Sequence, residues 1–137
     1  MIAIETLVHA PLATAWDCWT LPEHITQWCQ ASEDWHAPRA ENDLRPGGRF
    51  CTVMAAKDGS VSFDFAGTYT AVEPLRHIAY TLDDGRRVQI DFSADEDGRT
   101  RVVQHFEPES ENPEDMQRSG WQAILDSFAA YTARHAA

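Results

Sequence analysis

Side chains capable of chemistry are plentiful in this sequence, but few stand at the spacings that chemistry requires. Six histidines, His9, His24, His36, His77, His105 and His135, include no pair four residues apart that would offer two imidazoles from one helical face. His77 and His105 fall on strand faces expected to point away from the core. The chain has no GxSxG elbow, no HExxH, no P-loop and no GxGxxG. Asp83 and Asp84 are adjacent carboxylates, yet they lie in a turn, where nothing raises a carboxyl pKa for acid–base work. Cys18, Cys29 and Cys51 are an odd number without a CxxC, so they read as free, small hydrophobes. The expectation is no bound metal, no cofactor and no covalent catalysis.

Binding is better represented than catalysis. Trp16 or Trp19, Trp28, Trp35, Phe63, Phe65, Tyr69, Tyr80, Trp121 and Phe128 are candidates for inward-facing aromatic rings. Such a set either packs a core or lines an apolar pocket, and small-molecule sites combine apolar walls with a few placed polar groups. Gln104 and Gln117 fall on or beside inward faces, where an amide must find a partner in the protein, in water or in a ligand. Gly120 interrupts a helix at a cost of about 1 kcal/mol against alanine, which implies close helix–sheet approach or room for a ligand. Arg39 could receive a ligand carboxylate at a cavity mouth shared with His36; the alternative, and the preferred one, is a salt bridge to Glu41 or Asp43. The candidate ligand-contacting set is thus Trp28, Trp35, Arg39, Phe63, Phe65, Tyr69, Tyr80, Gln104, Gln117, Gly120 and Trp121.

Those residues need elements to hold them. Alternation at Ile2, Ile4, Thr6 and Val8 predicts a strand with one buried face. Pro11 suits a first helical position ahead of 13–19, and Pro22 restarts the chain before a second short helix over Glu23–Trp28. Residues 31–48 look irregular, with Pro38, Pro46 and the Gly47-Gly48 pair. Period-two patterning then runs through Phe50–Met54, Phe63–Tyr69, Ile78–Leu82, Val88–Phe92 and Val102–Phe106. Turn signals at Asp58-Gly59, Asp84-Gly85 and Asp97-Gly98 separate the runs, which predicts an antiparallel meander. Asn112 as N-cap, Pro113 at N1 and acidic Glu114 and Asp115 open a terminal helix. Met116, Gly120, Trp121, Ile124, Leu125, Phe128 and Tyr131 give it an apolar stripe. To Arg134 it would span about 33 Å at 1.5 Å per residue. The fold class is α+β: a curved antiparallel sheet wrapped around a long C-terminal helix, with two short helices after the first strand.

With 137 residues, no repeat and no linker, the chain reads as a single domain over 1–137. Its net charge of -11 opposes binding to phosphate backbones and to anionic membranes, so neither nucleic acid nor membrane is an expected partner. No apolar run approaches the roughly 20 residues of a membrane helix. The N-terminal stretch lacks the basic cluster of a signal peptide, and a cytoplasmic location is expected.

Specific segments carry a family resemblance. Val8-His9-Ala10-Pro11 followed by Ala15-Trp16-Asp17 resembles the opening of the SRPBCC (START-like, helix-grip) superfamily. The run Trp35–Phe50, WHAPRAENDLRPGGRF, resembles the signature of single-domain bacterial proteins related to the C-terminal domain of the heat-shock-protein-90 ATPase activator. Gly67-Thr68-Tyr69 and Gly120–Leu125 match later motifs of that group. Pro46 stands where the family usually carries an aliphatic residue, and should stiffen the turn. The resemblance implies a helix-grip fold with a cavity between the long helix and the sheet.

The leading expectation is a protein that binds a small, largely apolar ligand in that cavity. The resemblance also implies two alternatives: a chaperone-associated interaction module, and a cyclase or hydrolase acting on an apolar substrate through Arg39, Glu41 or Gln104. A homodimer is expected, because a meander leaves strand edges to be covered.

Overall fold

The computed structural model describes residues 1–136. In chain order the elements are β1 (Ile2–Val8), α1 (Leu12–Thr20), α2 (Pro22–Trp28), β2 (Trp35–Asn42), β3 (Arg49–Ala56), β4 (Ser62–Glu73), β5 (His77–Leu82), β6 (Arg87–Ala94), β7 (Thr100–Phe106) and α3 (Glu114–Ala136). The strands form one antiparallel sheet in the order β1-β7-β6-β5-β4-β3-β2. The five strands after β2 each pair with the one before, while β1 closes the far edge beside β7. The sheet curls into a half-barrel around α3.

The alternation expected from the sequence is what buries. Ile2, Ile4 and Val8 of β1, Ile78, Tyr80 and Leu82 of β5, and Val88, Ile90 and Phe92 of β6 all face inward. Asp95 shows how a turn is set locally: its carboxylate accepts the backbone N–H of Asp97 and Arg99, while Gly98 takes a φ of 76°. Gly67 is required by close approach. A Cβ there would stand 2.5 Å from the Thr81 carbonyl oxygen and 3.1 Å from the Phe50 ring.

Three expectations need correction. Residues 35–42 are not irregular but form β2, the edge strand. Pro38 concealed it: the proline lies at a bulge between His36 and Arg39, where an edge strand does without a ladder N–H. The terminal helix begins at Glu114, with Pro113 rather than Asn112 supplying the first helical carbonyl, to Met116 and Gln117. Met116 is 61% exposed and leaves the apolar stripe, and the first buried residue of the helix is the polar Gln117.

Helix α3 lies along β1 and touches α1 and α2. Arg118 donates to the Ala3 carbonyl at 2.7 Å and Gln122 to the Glu5 carbonyl at 3.2 Å, so the helix covers part of the β1 edge. On the opposite edge β2 packs against α2, and Asn42 donates to the Thr20 carbonyl at 2.6 Å. The open edges that motivated a homodimer are therefore partly occupied within one chain.

Candidate ligand-binding cavity

Between α3, the α1–α2 pair and the concave face of the sheet lies a cavity of about 320 Å³. That is the lower end of the range for small-molecule sites. Trp28, Phe63, Phe65, Tyr80, Gln104, Gln117 and Trp121, all singled out from sequence, line it together, though Phe63, expected to face inward, is 52% exposed and sits at the rim against Trp35. Trp35, Arg39, Tyr69 and Gly120 do not. Trp35 borders an outer groove with Asp34 and Lys57. Arg39 is 72% exposed and pairs with Glu41 at 3.3 Å, the salt bridge preferred at sequence level. The Tyr69 hydroxyl donates to Asn42 Oδ1 at 2.5 Å, which joins β4 to β2 and, through Asn42, to α1. A methyl group placed on the Gly120 Cα would meet nothing within 4 Å, so tight helix–sheet contact is not the reason for the glycine.

The walls are aromatic and interlocked. Trp121 stacks on Phe106 with ring centres 4.0 Å apart and planes 8° from parallel, and meets Phe65 edge-on at 5.9 Å. Phe65 in turn meets Tyr80 at 6.4 Å and 90°. On the other side Trp19 and Trp28 lie 5.1 Å apart, and both rest on Phe128. Trp28 is oriented by donating its indole N–H to the Cys18 carbonyl at 2.7 Å. Ser127 of α3 donates to the Trp28 carbonyl at 2.7 Å, which ties the long helix to the end of α2. Burial pushes the Cys29 thiol up to about 12, so it is a neutral part of the wall beside Met54.

The two inward amides have separated into different roles. Gln117 is fully spent: Oε1 accepts the Glu109 N–H at 2.8 Å, and Nε2 donates to the carbonyls of Glu109 and Asn112 at 3.0 and 2.8 Å. It therefore latches the loop before α3. Gln104, only 5% exposed and in register between Ile4 and Ile90, makes no side-chain hydrogen bond among the described residues. Its amide faces the cavity with its hydrogen-bonding capacity unused. The Tyr80 hydroxyl likewise has no partner among the described residues, and burial raises its pKa well above the ordinary tyrosine range.

Sequence reasoning missed the polar mouth. Arg86, Glu109 and Asn112 line the cavity beside Gln117. Arg86 lends Nε to Asp84 at 2.8 Å, which leaves its terminal nitrogens as donors at the entrance. Glu109 is held ionised, its pKa lowered first by the Glu111 N–H it accepts and also by Asn112 and the Arg86 charge. A tight Asp-Gly turn hides Arg86 in the sequence, because only the curl of the sheet carries that turn to the start of α3. Cys18, His24 and His135 were equally invisible as a group, and the three helices bring them together.

A curled antiparallel sheet gripping one long helix over a hollow defines a START-like, helix-grip protein. Within that class the chain belongs to the Activator of Hsp90 ATPase homolog 1-like family, whose model matches residues 9–133. It is similar to the AHSA1-like protein of Aeromonas hydrophila, with 39% identity, 98% of this chain and 94% of that chain covered, and a TM-score of 0.89. A Cytophaga hutchinsonii protein shares 50% identity, with 98% and 92% covered and a TM-score of 0.82. A Nitrosomonas europaea protein at 20% identity has the same fold, with a TM-score of 0.84 over 98% of this chain and 94% of that one. No curated protein matches the chain. The family comprises ligand-binding and chaperone-associated domains. Among the described residues no helix is long and apolar enough to cross a membrane.

Proposed function

We propose that this protein binds a small, largely apolar molecule carrying one polar group, in the cavity between α3 and the sheet and in a cytoplasmic setting. One observation carries the reading: an aromatic-walled hollow of about 320 Å³ has the Gln104 amide on its wall, with no protein hydrogen-bond partner among the described residues. A ligand that strips water from this amide without replacing its hydrogen bonds loses about 1–3 kcal/mol, so a ligand that supplies a partner there is favoured. Trp28, Phe65, Tyr80 and Trp121 contact the apolar body of the ligand. Gln104 and Tyr80 orient its polar group, and the free donors of Arg86 favour an acceptor or anion at the mouth. Gln117 acts indirectly, by holding the loop that frames the entrance.

Anilinonaphthalene sulfonate, an aromatic body with one anionic group, is a suitable probe. Native protein should bind it at one site with a negative heat-capacity change, the mark of apolar burial. Gln104→Leu should leave the fold at least as stable and weaken the probe about tenfold. Binding unaffected by both Gln104→Leu and Trp121→Ala would place the probe elsewhere and defeat the reading. Family membership supports a second reading, contact with an Hsp90-type chaperone. Recovery of the chaperone in a pull-down, with no probe binding, would select it.

A further inference from the structure

Cys18 of α1, His24 of α2 and His135 in the last turn of α3 bring one thiol and two imidazoles together, their ligand atoms all within 4.8 Å of one another. None of the three lines the apolar cavity except through neighbours. Cys18 is fully buried, His24 half-buried and His135 exposed, so the cluster has a closed floor and an open side. The two imidazole rings meet edge to face with centres 4.6 Å apart.

Two independent features point to a ligand there. The first is a support for the imidazoles. The Tyr131 hydroxyl lies 2.6 Å from His24 Nδ1, and the Tyr131 ring stacks on His135 at 5.9 Å and 15°. With Nδ1 engaged, Nε2 is the nitrogen left to coordinate; a partner on the second ring nitrogen is the usual companion of a metal-bound histidine, because it fixes ring and tautomer. The second is an orphan. Thr132 is fully buried beside the Cys18 thiol, and its Oγ1 has no hydrogen-bond partner in good geometry among the described residues. A thiol is a weak partner for a hydroxyl, whereas a thiolate accepts strongly.

We propose that Cys18, His24 and His135 form a binding site for a zinc-class divalent cation, with one coordination position open to solvent. Thiolate and imidazole suit a borderline-soft ion, and exclude calcium and magnesium, which take oxygen ligands. Tetrahedral zinc, with bonds of about 2.3 Å to sulfur and about 2.0 Å to nitrogen, sets its ligand atoms roughly 3.5 Å apart. Closing the cluster thus asks for movement on the order of 1 Å, which exposed His135 in a terminal helical turn can supply. On binding, the Cys18 thiol gives its proton to solvent, the thiolate bonds the metal, and Thr132 gains an anionic sulfur to donate to. Asp17 and Glu23 flank the cluster, and the chain's net charge of -11 adds to an electrostatic field that favours cations.

Cobalt(II) titration of the untagged full chain tests this. We expect one ion per chain, a near-ultraviolet thiolate-to-cobalt band, intense visible bands of four-coordinate cobalt, and displacement by zinc. Cys18→Ser should abolish the thiolate band. His135→Ala, at an exposed position, should keep the native circular dichroism and weaken cobalt at least tenfold, and Tyr131→Phe should weaken it about tenfold through loss of the hydroxyl that engages His24 Nδ1. A wild-type chain without the thiolate band overturns the proposal. A band that survives Cys18→Ser places the metal on Cys29 or Cys51 and does the same. If Cys18→Ser does not fold, the His135→Ala titration decides, and cobalt bound there as tightly as by wild type rejects the site.

Discussion

From Leu125 onward α3 is clamped: Leu125, Phe128 and Thr132 are buried to within 1% of completely, and Phe128 is wedged between Trp19 and Trp28. Before Leu125 the same helix packs more loosely, with the stack of Trp121 on Phe106 as its main apolar contact to the sheet. Trp121 is only half-buried, Gly120 faces open space, and Met116 is at the surface. The first half is held instead at its margins, by Gln117 latching the preceding loop and by Arg118 and Gln122 on the β1 carbonyls. The difference shows how one amphipathic helix can supply a core and a hollow at once. Close-packed rings at one end fix the helix axis, so one aromatic stack and a few marginal polar contacts suffice to place the other end beside the hollow.

Substitution in the clamped half should break the comparison most visibly. Phe128→Ala should cost about 3–5 kcal/mol in chemical denaturation, the range for emptying a fully buried aromatic site. A loss below about 1 kcal/mol would mean that the C-terminal half is not the anchor.

Trp121→Ala sits on the other side of the contrast. Its ring is partly exposed to the cavity and keeps one stacked neighbour, Phe106, so the stability loss should be roughly 1–3 kcal/mol, below that of Phe128. Probe binding should fall at least tenfold in the same variant. Equal destabilisation by the two substitutions would erase the distinction between anchor and cavity wall.

Gly120→Ala sharpens it further. With no atom within 4 Å of the added methyl, the substitution should raise stability by up to about 1 kcal/mol through helix propensity alone. Destabilisation on thermal or chemical unfolding would instead reveal close packing in the looser half.

The smallest effect lies outside both halves, on the rim of the sheet. Glu107 pairs with Arg87, which holds its carboxyl at about 2, below the ordinary 4.5. A depressed folded pKa means that the pair's stabilisation is fully present above about pH 4.5 and is lost as pH falls toward 2. Glu107→Gln should therefore flatten the acid limb of the stability profile slightly, with no change in probe binding. An unchanged limb would show that this exposed pair contributes nothing measurable.

Local physics made much of this molecule readable in advance. Alternating residues in β5, β6 and β7 predicted both the strands and their buried faces, because a strand's two faces follow directly from its period of two. The Asp-Gly turns marked the hairpins for a similarly local reason, and the apolar stripe of α3 from Trp121 to Tyr131 did not need a sheet to be recognised. Tyr80, Gln104 and Trp121, chosen from those faces, line a single cavity for the same cause. β2 escaped because its proline is tolerated only at an edge, and a sequence does not say which strand is the edge.

The division of labour within the cavity was settled by tertiary structure alone. Gln104 and Gln117 are the same residue type on neighbouring inward faces, and only the path of the loop before α3 satisfies one and leaves the other unpaired. Arg86 reaches the mouth because the sheet curls, and Cys18, His24 and His135 meet because three helices converge. Periodicity acts over a few residues and so is written in the sequence. Convergence across more than a hundred residues depends on twist, curl and helix placement, which arise only when all the elements pack together.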